Sequence, residues 1–225
     1  MAAAAPKIAV VGGTGALGAG LARRWARAGA EVLIGSRTAE KAREAAEALS
    51  RELNRPIGHG ANGEVSALAD IIVVTVPFAA QEQTLADIRA AAKGKIVVDT
   101  TVPLVPPKVM RVQLPPEGSA AARAQGLLGE GVRVVSAFHN VAADKLAADG
   151  EVDCDVLVFG DDKADRAQVV ALVELAGLRG LHGGALANSA AAEAMTSVLI
   201  FVNKHYGADH AGVRLTGLPR ESAIG

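Results

Sequence analysis

The feature that most constrains this chain is its opening. A continuous apolar run, Lys7 to Val11 (KIAVV), breaks directly into Gly13-Thr14-Gly15-Ala16-Leu17-Gly18 and then into a stretch of helical period. An unbroken β-branched run is the mark of a strand buried on both faces, which a parallel sheet covered by helices provides. From Ala16 to Ala28 the larger side chains Leu17, Leu21 and Trp25 recur every fourth residue and Gly29 closes the stretch, so a helix follows. The pattern G-x-G-x-x-G therefore lies between a strand and a helix, the context its mechanism requires. Its first glycine permits the tight turn, the second admits a pyrophosphate close to the backbone, and the third lets the helix pack on the sheet with its N-terminus toward the phosphates. Gly13, Thr14, Gly15, Ala16 and Leu17 are candidate dinucleotide-binding residues.

The alternation continues down the chain. Glu31 to Gly35 reads as a strand, and Thr38 to Leu53 as a helix with Thr38 at its N-cap and Ala42, Ala45, Ala46, Leu49 and Leu53 on one face. A weak strand follows at Ile57 to His59, then a strong one, Ile71 to Val76, that ends at Pro77. Ala79 to Ala92 (helix), Lys95 to Asp99 (strand), Gly118 to Leu128 (helix) and Arg133 to Ala137 (strand) extend the series past two proline-rich turns. Asp155 to Phe159 and a helix capped by Asp161 or Asp162 come next. Gly183, Gly184 and Asn188 then break the chain before a helix from Ser189 to Tyr206, whose stripe of Met195, Val198, Leu199 and Val202 needs a partner surface. The expected fold is α/β, a Rossmann-type doubly wound parallel sheet with a small C-terminal subdomain. Residues 1–154 are expected to form the NADP-binding domain and residues 155–225 the subdomain that completes a second-substrate pocket.

The end of the second strand selects the cofactor. NAD enzymes place an Asp or Glu there for the ribose hydroxyls, whereas a 2′-phosphate needs groups that pair with it. Here the strand ends Gly35-Ser36-Arg37, with Lys41 one turn into the next helix and no carboxylate at the strand end. Arg37 supplies a planar fork, Ser36 a hydroxyl and Lys41 a point charge, the last placed where the helix dipole disfavours a cation. NADP(H) is the expected cofactor.

Composition removes other classes. The 225 residues suffice for one domain, or a domain with a small appendage, and 23 basic against 24 acidic side chains leave a charge of -1, so nucleic acid has no electrostatic handle. The one cysteine, Cys154, makes no internal disulfide, and its flanking Asp153 and Asp155 disfavour a thiolate, so an inert thiol in a reducing, cytoplasmic setting is expected. The longest apolar stretches, Ala67 to Ala80 and Ala190 to Val202, are interrupted by Asp70, Pro77 and Glu193, so neither spans a bilayer, and Met1 to Pro6 has no signal-peptide character. The five histidines, His59, His139, His182, His205 and His210, have no close metal-ligand spacing, so no metal is expected. The only tyrosine, Tyr206, has His210 rather than a lysine four residues on, which excludes the Tyr-x-x-x-Lys proton relay of short-chain dehydrogenases. Too few residues follow the sheet for the long helical domain of β-hydroxyacid dehydrogenases. A hydride transfer between two cofactors needs little acid-base help, because positioning two flat rings supplies most of the catalysis.

The segments IAVVGGTGALGAGLA, GSR followed by EKA, VVTVP, VVDTTVPL, VVSAFHNVAA, VFGDD and ANS, in this order through nearly the whole chain, resemble the coenzyme F420-dependent NADP oxidoreductases. The resemblance implies reversible hydride transfer between NADP(H) and the 5-deazaflavin of coenzyme F420, in a homo-oligomer with small molecules as its other partners. It places the pyrophosphate on Thr14 to Leu17 and the 2′-phosphate on Ser36, Arg37 and Lys41. Val76, Pro77, Val102 and Ala143 would line the cofactor's path. The deazaflavin would lie in a pocket made by the Val102 turn, His139, Asn140 and the chain around Ala211 and Gly212. An aromatic residue and a histidine expected just after the VP turn are Phe78 and Ala80 here, and Asn140 follows the family's histidine.

His139, at the end of a strand, is the candidate catalytic side chain, either bonded to a ring atom of the second substrate or satisfied by backbone. Two other functions compete with deazaflavin reduction: an NADPH-dependent reductase of a flavin, an imine or a small carbonyl compound, and a non-enzymatic NADP-sensing module. A carbonyl acceptor would need a proton donor, and His139 is the only good candidate.

Overall fold

The computed structural model describes residues 6–218. The first half runs β1 (Lys7–Val11), α1 (Ala16–Arg27), β2 (Glu31–Ser36), α2 (Ala39–Leu53), β3 (Gly58–Ala61), α3 (Asn62–Leu68), β4 (Ile71–Val74), α4 (Phe78–Ala92) and β5 (Ile96–Asp99). The second half runs α5 (Ala120–Leu128), β6 (Arg133–Ser136), α6 (Ala143–Ala147), β7 (Asp155–Phe159), α7 (Lys163–Leu175), β8 (Arg179–Gly184), a 3-10 turn (Leu186–Asn188) and α8 (Ser189–Tyr206). Among the described residues no helix is long and apolar enough to cross a membrane.

The strands form one eight-stranded sheet in the order β3-β2-β1-β4-β5-β6-β7-β8. The order reverses between β1 and β4, which makes the crevice beyond their carboxyl ends the topological switch point where open α/β sheets hold ligands. Register puts Gly35, Val11, Val74, Asp99 and Ser136 in one row along that edge. Every pair is parallel except β6 with β7, which run antiparallel and share the single pair Ser136↔Phe159. The expected all-parallel sheet is corrected there. The sheet continues past residue 154, with β7 and β8 paired in parallel.

One core lies between the sheet and helices α1, α2, α6 and α7 and is centred on Trp25, Leu21, Ile34, Phe138, Leu146 and Val173. A second lies under α4 and α5, with Leu85, Ile88, Ala124 and Leu128 against Ile72, Val74 and Val97, and a small third joins Ala9, Leu33, Val65 and Ala69. Trp25 sets the position of α7, since its Nε1–H donates to the Leu172 carbonyl at 2.8 Å and its ring meets Phe138 edge-on with centroids 6.0 Å apart.

Three elements depart from the sequence expectation. Helices α3 and α6 are only seven and five residues long, too short for a periodic signal. Strand β8 has the sequence RGLHGG, whose glycines give no β-branched run to read. The cap of α7 is Asp162, which accepts the N–H groups of Ala164 and Asp165, while Asp161 Oδ1 accepts from Leu186 N across the fold.

Helix α8 turns a polar face inward and leaves its expected stripe partly uncovered, with Leu199 and Val202 half-buried. Its buried residues are Ser189, Ala192, Glu193 and Ser197. Met195, Val198 and Phe201 are 40%, 45% and 50% exposed. Pattern alone says that an apolar stripe wants cover, not whether the cover lies within the same chain.

Candidate active site

The turn between β1 and α1 is built as its glycines require. Gly12 takes φ 78°, and a Cβ there would lie 2.6 Å from Val76 Cγ1, so the end of β4 closes directly over the loop. A side chain on Gly18 would overlap the Thr75 hydroxyl and come within 2.8 Å of Gly13 Cα. Gly12 N and Gly13 N both donate to Gly35 O at 3.1 Å, which fastens the loop to the end of β2. Thr14, Gly15 and Ala16 stand exposed at the carboxyl edge. No acidic residue occupies the first turn of α1 and no side chain caps it, so its free N–H groups and dipole face the crevice. A pyrophosphate fits this cradle.

At the end of β2, Ser36 is buried with its Oγ accepting from Thr38 N at 3.3 Å. Arg37 and Lys41 are exposed, and among the described residues neither has an ion-pair partner. Their neighbour Arg43 is paired with Glu40 and Glu47, which leaves Arg37 and Lys41 as the cations open to a phosphate.

Two cavities flank this edge. One, of about 390 Å³, lies between α1, α2 and α6 and is lined by Gly13, Ala16, Ile34, Ala45 and Ala143, which puts Ala143 beside the loop after β1. The other, of about 380 Å³, is lined by Asn140, Ala142, Lys145, Cys154, Ala211 and Gly212. Asn140 and Ala211, far apart in sequence, thus share one wall. Val76, Pro77, Val102 and His139 line neither cavity. Val76 lies against Gly12, and Val102 follows Asp99 and Thr101 off the end of β5.

His139 lies just beyond β6, after Phe138, a non-glycine residue at φ 65°. That left-handed residue sends the Phe138 ring into the core and leaves His139 buried, tilted against Phe159 with centroids 6.2 Å apart. His139 Nε2 is buried with no hydrogen-bond partner. Burial lowers the imidazole to about 4, so at neutral pH the ring is uncharged. Asn140 spends its Nδ2 on α8, donating to Ala192 O at 2.9 Å and Thr196 Oγ1 at 3.0 Å. Ala211 N donates to Asn203 Oδ1 at 2.7 Å. Phe78 opens α4, and the Arg123 guanidinium lies 5.2 Å from its ring centroid. Cys154 is buried, and burial together with Asp155 and Asp153 pushes its thiol up to about 11, which keeps it unreactive.

Two site-shaping residues escaped the sequence. Arg24 donates to the carbonyls of Lys145, Leu146, Ala148, Gly150 and Ala176, which binds α6 to the back of α1. Glu193, buried on α8, accepts from Ala120 N and Ala121 N at the start of α5. The available signal for Glu193 was its position as the lone charge in the apolar run Ala190 to Val202.

The comparisons with known proteins agree with this architecture. Residues 7–103 match the family model described as NADP oxidoreductase, coenzyme F420-dependent. The chain is 42% identical to an F420-dependent NADP reductase of Methanothermobacter thermautotrophicus, over 96% of this chain and 97% of that one. It is 38% identical to the F420-dependent NADP reductase of Methanocaldococcus jannaschii, over 94% of this chain and 99% of that one. A crystal structure from Arthrobacter sp. FB24, described as an F420-dependent NADP reductase, superposes with a TM-score of 0.80 at 25% identity, covering 94% of this chain and 99% of that one. A reductive aminase from Aspergillus terreus solved with NADPH shares the fold, with a TM-score of 0.62 at 22% identity over 90% of this chain and 62% of that one. A phosphate loop at the switch point and kinship along nearly the full length lead to one conclusion: the chain belongs to the family of F420-dependent NADP reductases.

Proposed function

We propose that this protein transfers a hydride reversibly between NADP(H) and coenzyme F420. The observation that carries the reading is a phosphate loop flanked by the unpaired cations Arg37 and Lys41, in a chain that aligns over 96% of its length with an F420-dependent NADP reductase. When both are bound, the nicotinamide and the deazaflavin supply the chemistry, a hydride passing between the rings with a proton exchanged with water. The chain's own part is to bind and orient. The free N–H groups of α1 hold the pyrophosphate, and Ser36, Arg37 and Lys41 hold the 2′-phosphate. Val76, Pro77, Val102 and Ala143 bound the nicotinamide's path. The second substrate occupies the side of Asn140, Ala211 and Gly212, where residues from 155 onward complete the pocket.

The neutral, buried His139 supports cofactor-to-cofactor exchange over carbonyl reduction. A proton donor with its imidazole lowered to about 4 is in the wrong state at neutral pH. Its place in this reading is to shape the pocket or hydrogen-bond a ring atom.

The protein acts as a homo-oligomer, a homodimer in its simplest form, in the cytoplasm. The outward face of α8, with Met195, Val198 and Phe201, and the exposed Val105, Met110, Val112 and Leu114 of the β5–α5 connection support self-association. The buried free thiol Cys154 accords with a reducing compartment.

The test is anaerobic mixing of the protein with NADPH and oxidised coenzyme F420, following loss of the deazaflavin's absorbance and fluorescence. Reduction faster with NADPH than with NADH is expected. Tight NADPH binding with no reduction would overturn the reading.

A further inference from the structure

Helix α8 meets the rest of the molecule through a row of polar side chains four residues apart. Ser189, Glu193 and Ser197 are all buried, at 0%, 1% and 3% exposure. Ser189 Oγ lies 2.6 Å from Ser136 Oγ at the end of β6. Glu193 Oε2 accepts from Ala120 N at 2.6 Å and its Oε1 from Ala121 N at 3.1 Å. Ser197 Oγ donates to Arg111 O at 3.2 Å. On the flank of the same face, Thr196 Oγ1 donates to His139 O at 2.9 Å, and Asn140 bonds to Ala192 O and Thr196. One helix therefore grips the β5–α5 connection on one side and the end of β6 on the other.

The grip of Glu193 reaches the turn of Val102. Gln81 Nε2 donates to both Ala120 O at 3.0 Å and Asp99 Oδ2 at 2.6 Å, and Asp99 Oδ1 accepts from Thr101 N at 3.0 Å. A continuous chain of hydrogen bonds thus runs from α8 through the first turn of α5 to the residue before Val102. Ser119 accepts from Ala122 N at 2.9 Å, which leaves the buried N–H groups of Ala120 and Ala121 to Glu193, so the first turn of α5 is closed from α8 rather than by its own local cap. Burying a carboxyl is expensive, and here it joins the start of α5 to a helix more than 70 residues away in sequence, so α8 fixes where the connection ends.

We propose that Glu193 is a positioning residue for the second substrate: it pins the start of α5, and with it the β5–α5 connection bearing Val102, against the helix that also holds His139 and Asn140. The inference rests on the reading of this site as the place where coenzyme F420 meets NADP(H). Without the pin the dinucleotide loop, built from β1, α1 and β2, keeps its geometry, while the wall at Val102 loses its register with His139 and Asn140. Because the loop still holds the phosphates of NADP(H), the effect falls far more on the second substrate than on the dinucleotide, whose nicotinamide path Val102 also bounds.

The test compares Glu193→Gln, which turns an N–H donor toward a backbone donor, with Ser119→Ala, which weakens the same helix without touching α8. For Glu193→Gln, the KM for coenzyme F420 is expected to rise roughly tenfold, the size of one buried hydrogen bond, while the KM for NADPH stays within about twofold. Ser119→Ala is expected to leave both near their starting values. Amide exchange read in parallel is expected to show lost protection at Ala120, Ala121 and the connection before them in Glu193→Gln alone. Equal changes in the two variants, or an unchanged KM for coenzyme F420, would overturn the proposal. Should Glu193→Gln fail to fold, Ser197→Ala removes the neighbouring tie to Arg111 O and is expected to raise the same KM roughly threefold; no change in that KM would overturn the proposal equally. If the unmodified protein binds NADPH but does not reduce F420, the functional reading falls, and exchange still decides the pin, since unchanged protection in the variant refutes it.

Discussion

Gly18 and Thr75 stand in contact across the switch point, and the Thr75 hydroxyl is fixed there by its 2.9 Å bond to Val11 O. Because the hydroxyl cannot rotate away without losing a buried acceptor, and Gly13 Cα closes the other side, α1 approaches the sheet only with glycine at position 18. Gly18→Ala is expected to cost roughly 1–3 kcal/mol of stability and to displace the phosphate loop. Chemical denaturation and NADPH titration check both effects. A variant as stable and as tight as the parent would contradict the packing described.

Arg37 and Lys41 give a charge prediction with an internal control. Arg37→Asp is expected to weaken NADPH by roughly 10- to 100-fold through loss of a charge-assisted bond and added repulsion, with NADH changed far less. Arg43→Ala, one turn away but already paired with Glu40 and Glu47, should leave the preference between the two nucleotides intact. Nucleotide titrations of the three proteins decide the matter.

Two of the buried titratable groups, Glu193 and His139, should bend the stability curve in opposite senses. Burial, with Asp99 adding repulsion, raises Glu193 to about 8 against the pull of the Ala120 and Ala121 amides, so the folded state holds its proton more tightly than the unfolded chain. Its contribution is full below the ordinary 4.5 and is lost as pH rises toward about 8. His139, lowered to about 4 by burial, does the reverse, costing stability as pH falls from 6.5 toward 4. Thermal melts across this range are expected to lose the alkaline-side decline in Glu193→Gln and the acid-side decline in His139→Gln. A Glu193→Gln profile parallel to the parent's would remove the titration from this carboxyl.

Arg24 should prove a stability residue rather than a nucleotide ligand. Lysine at this position carries the charge but not the planar fork that spans five carbonyls. Arg24→Lys is expected to lose roughly 2 kcal/mol and to speed amide exchange in α6, with exchange in β1 and β4 unchanged.

How much of this was legible in the chain differs from one side of the site to the other. The strand, turn and strand end proposed for the dinucleotide were readable as structure because their causes are local: KIAVV, the glycines after it and GSR each act within a few residues, and the structure puts them along one edge of the sheet. The acceptor side was not, because its determinants are pairings across long separations. Nothing near Glu193 announces Ala120, and nothing near Asn140 announces Thr196, since a hydrogen bond across the fold leaves no period in the sequence. Helix α8 shows the same limit. Its apolar stripe was visible, but serines and a glutamate face inward because the surfaces they meet are backbone amides and carbonyls, which want polar partners. The glycine-rich strand β8 carries no propensity of its own and exists because β7 offers it a ladder.

The join between β6 and β7 has a mechanical consequence. Strands β5 and β6 share four register pairs, whereas β6 and β7 share one, Ser136↔Phe159. The sheet is thus two plates with an uneven seam, firmly laminated on the nucleotide side and tacked at a point where the last two strands begin. With ladder strength set by the number of pairs, the seam yields before the plate does. A displacement of the last two strands can therefore be taken up at that one stitch without disturbing the row of strand ends from β2 to β6.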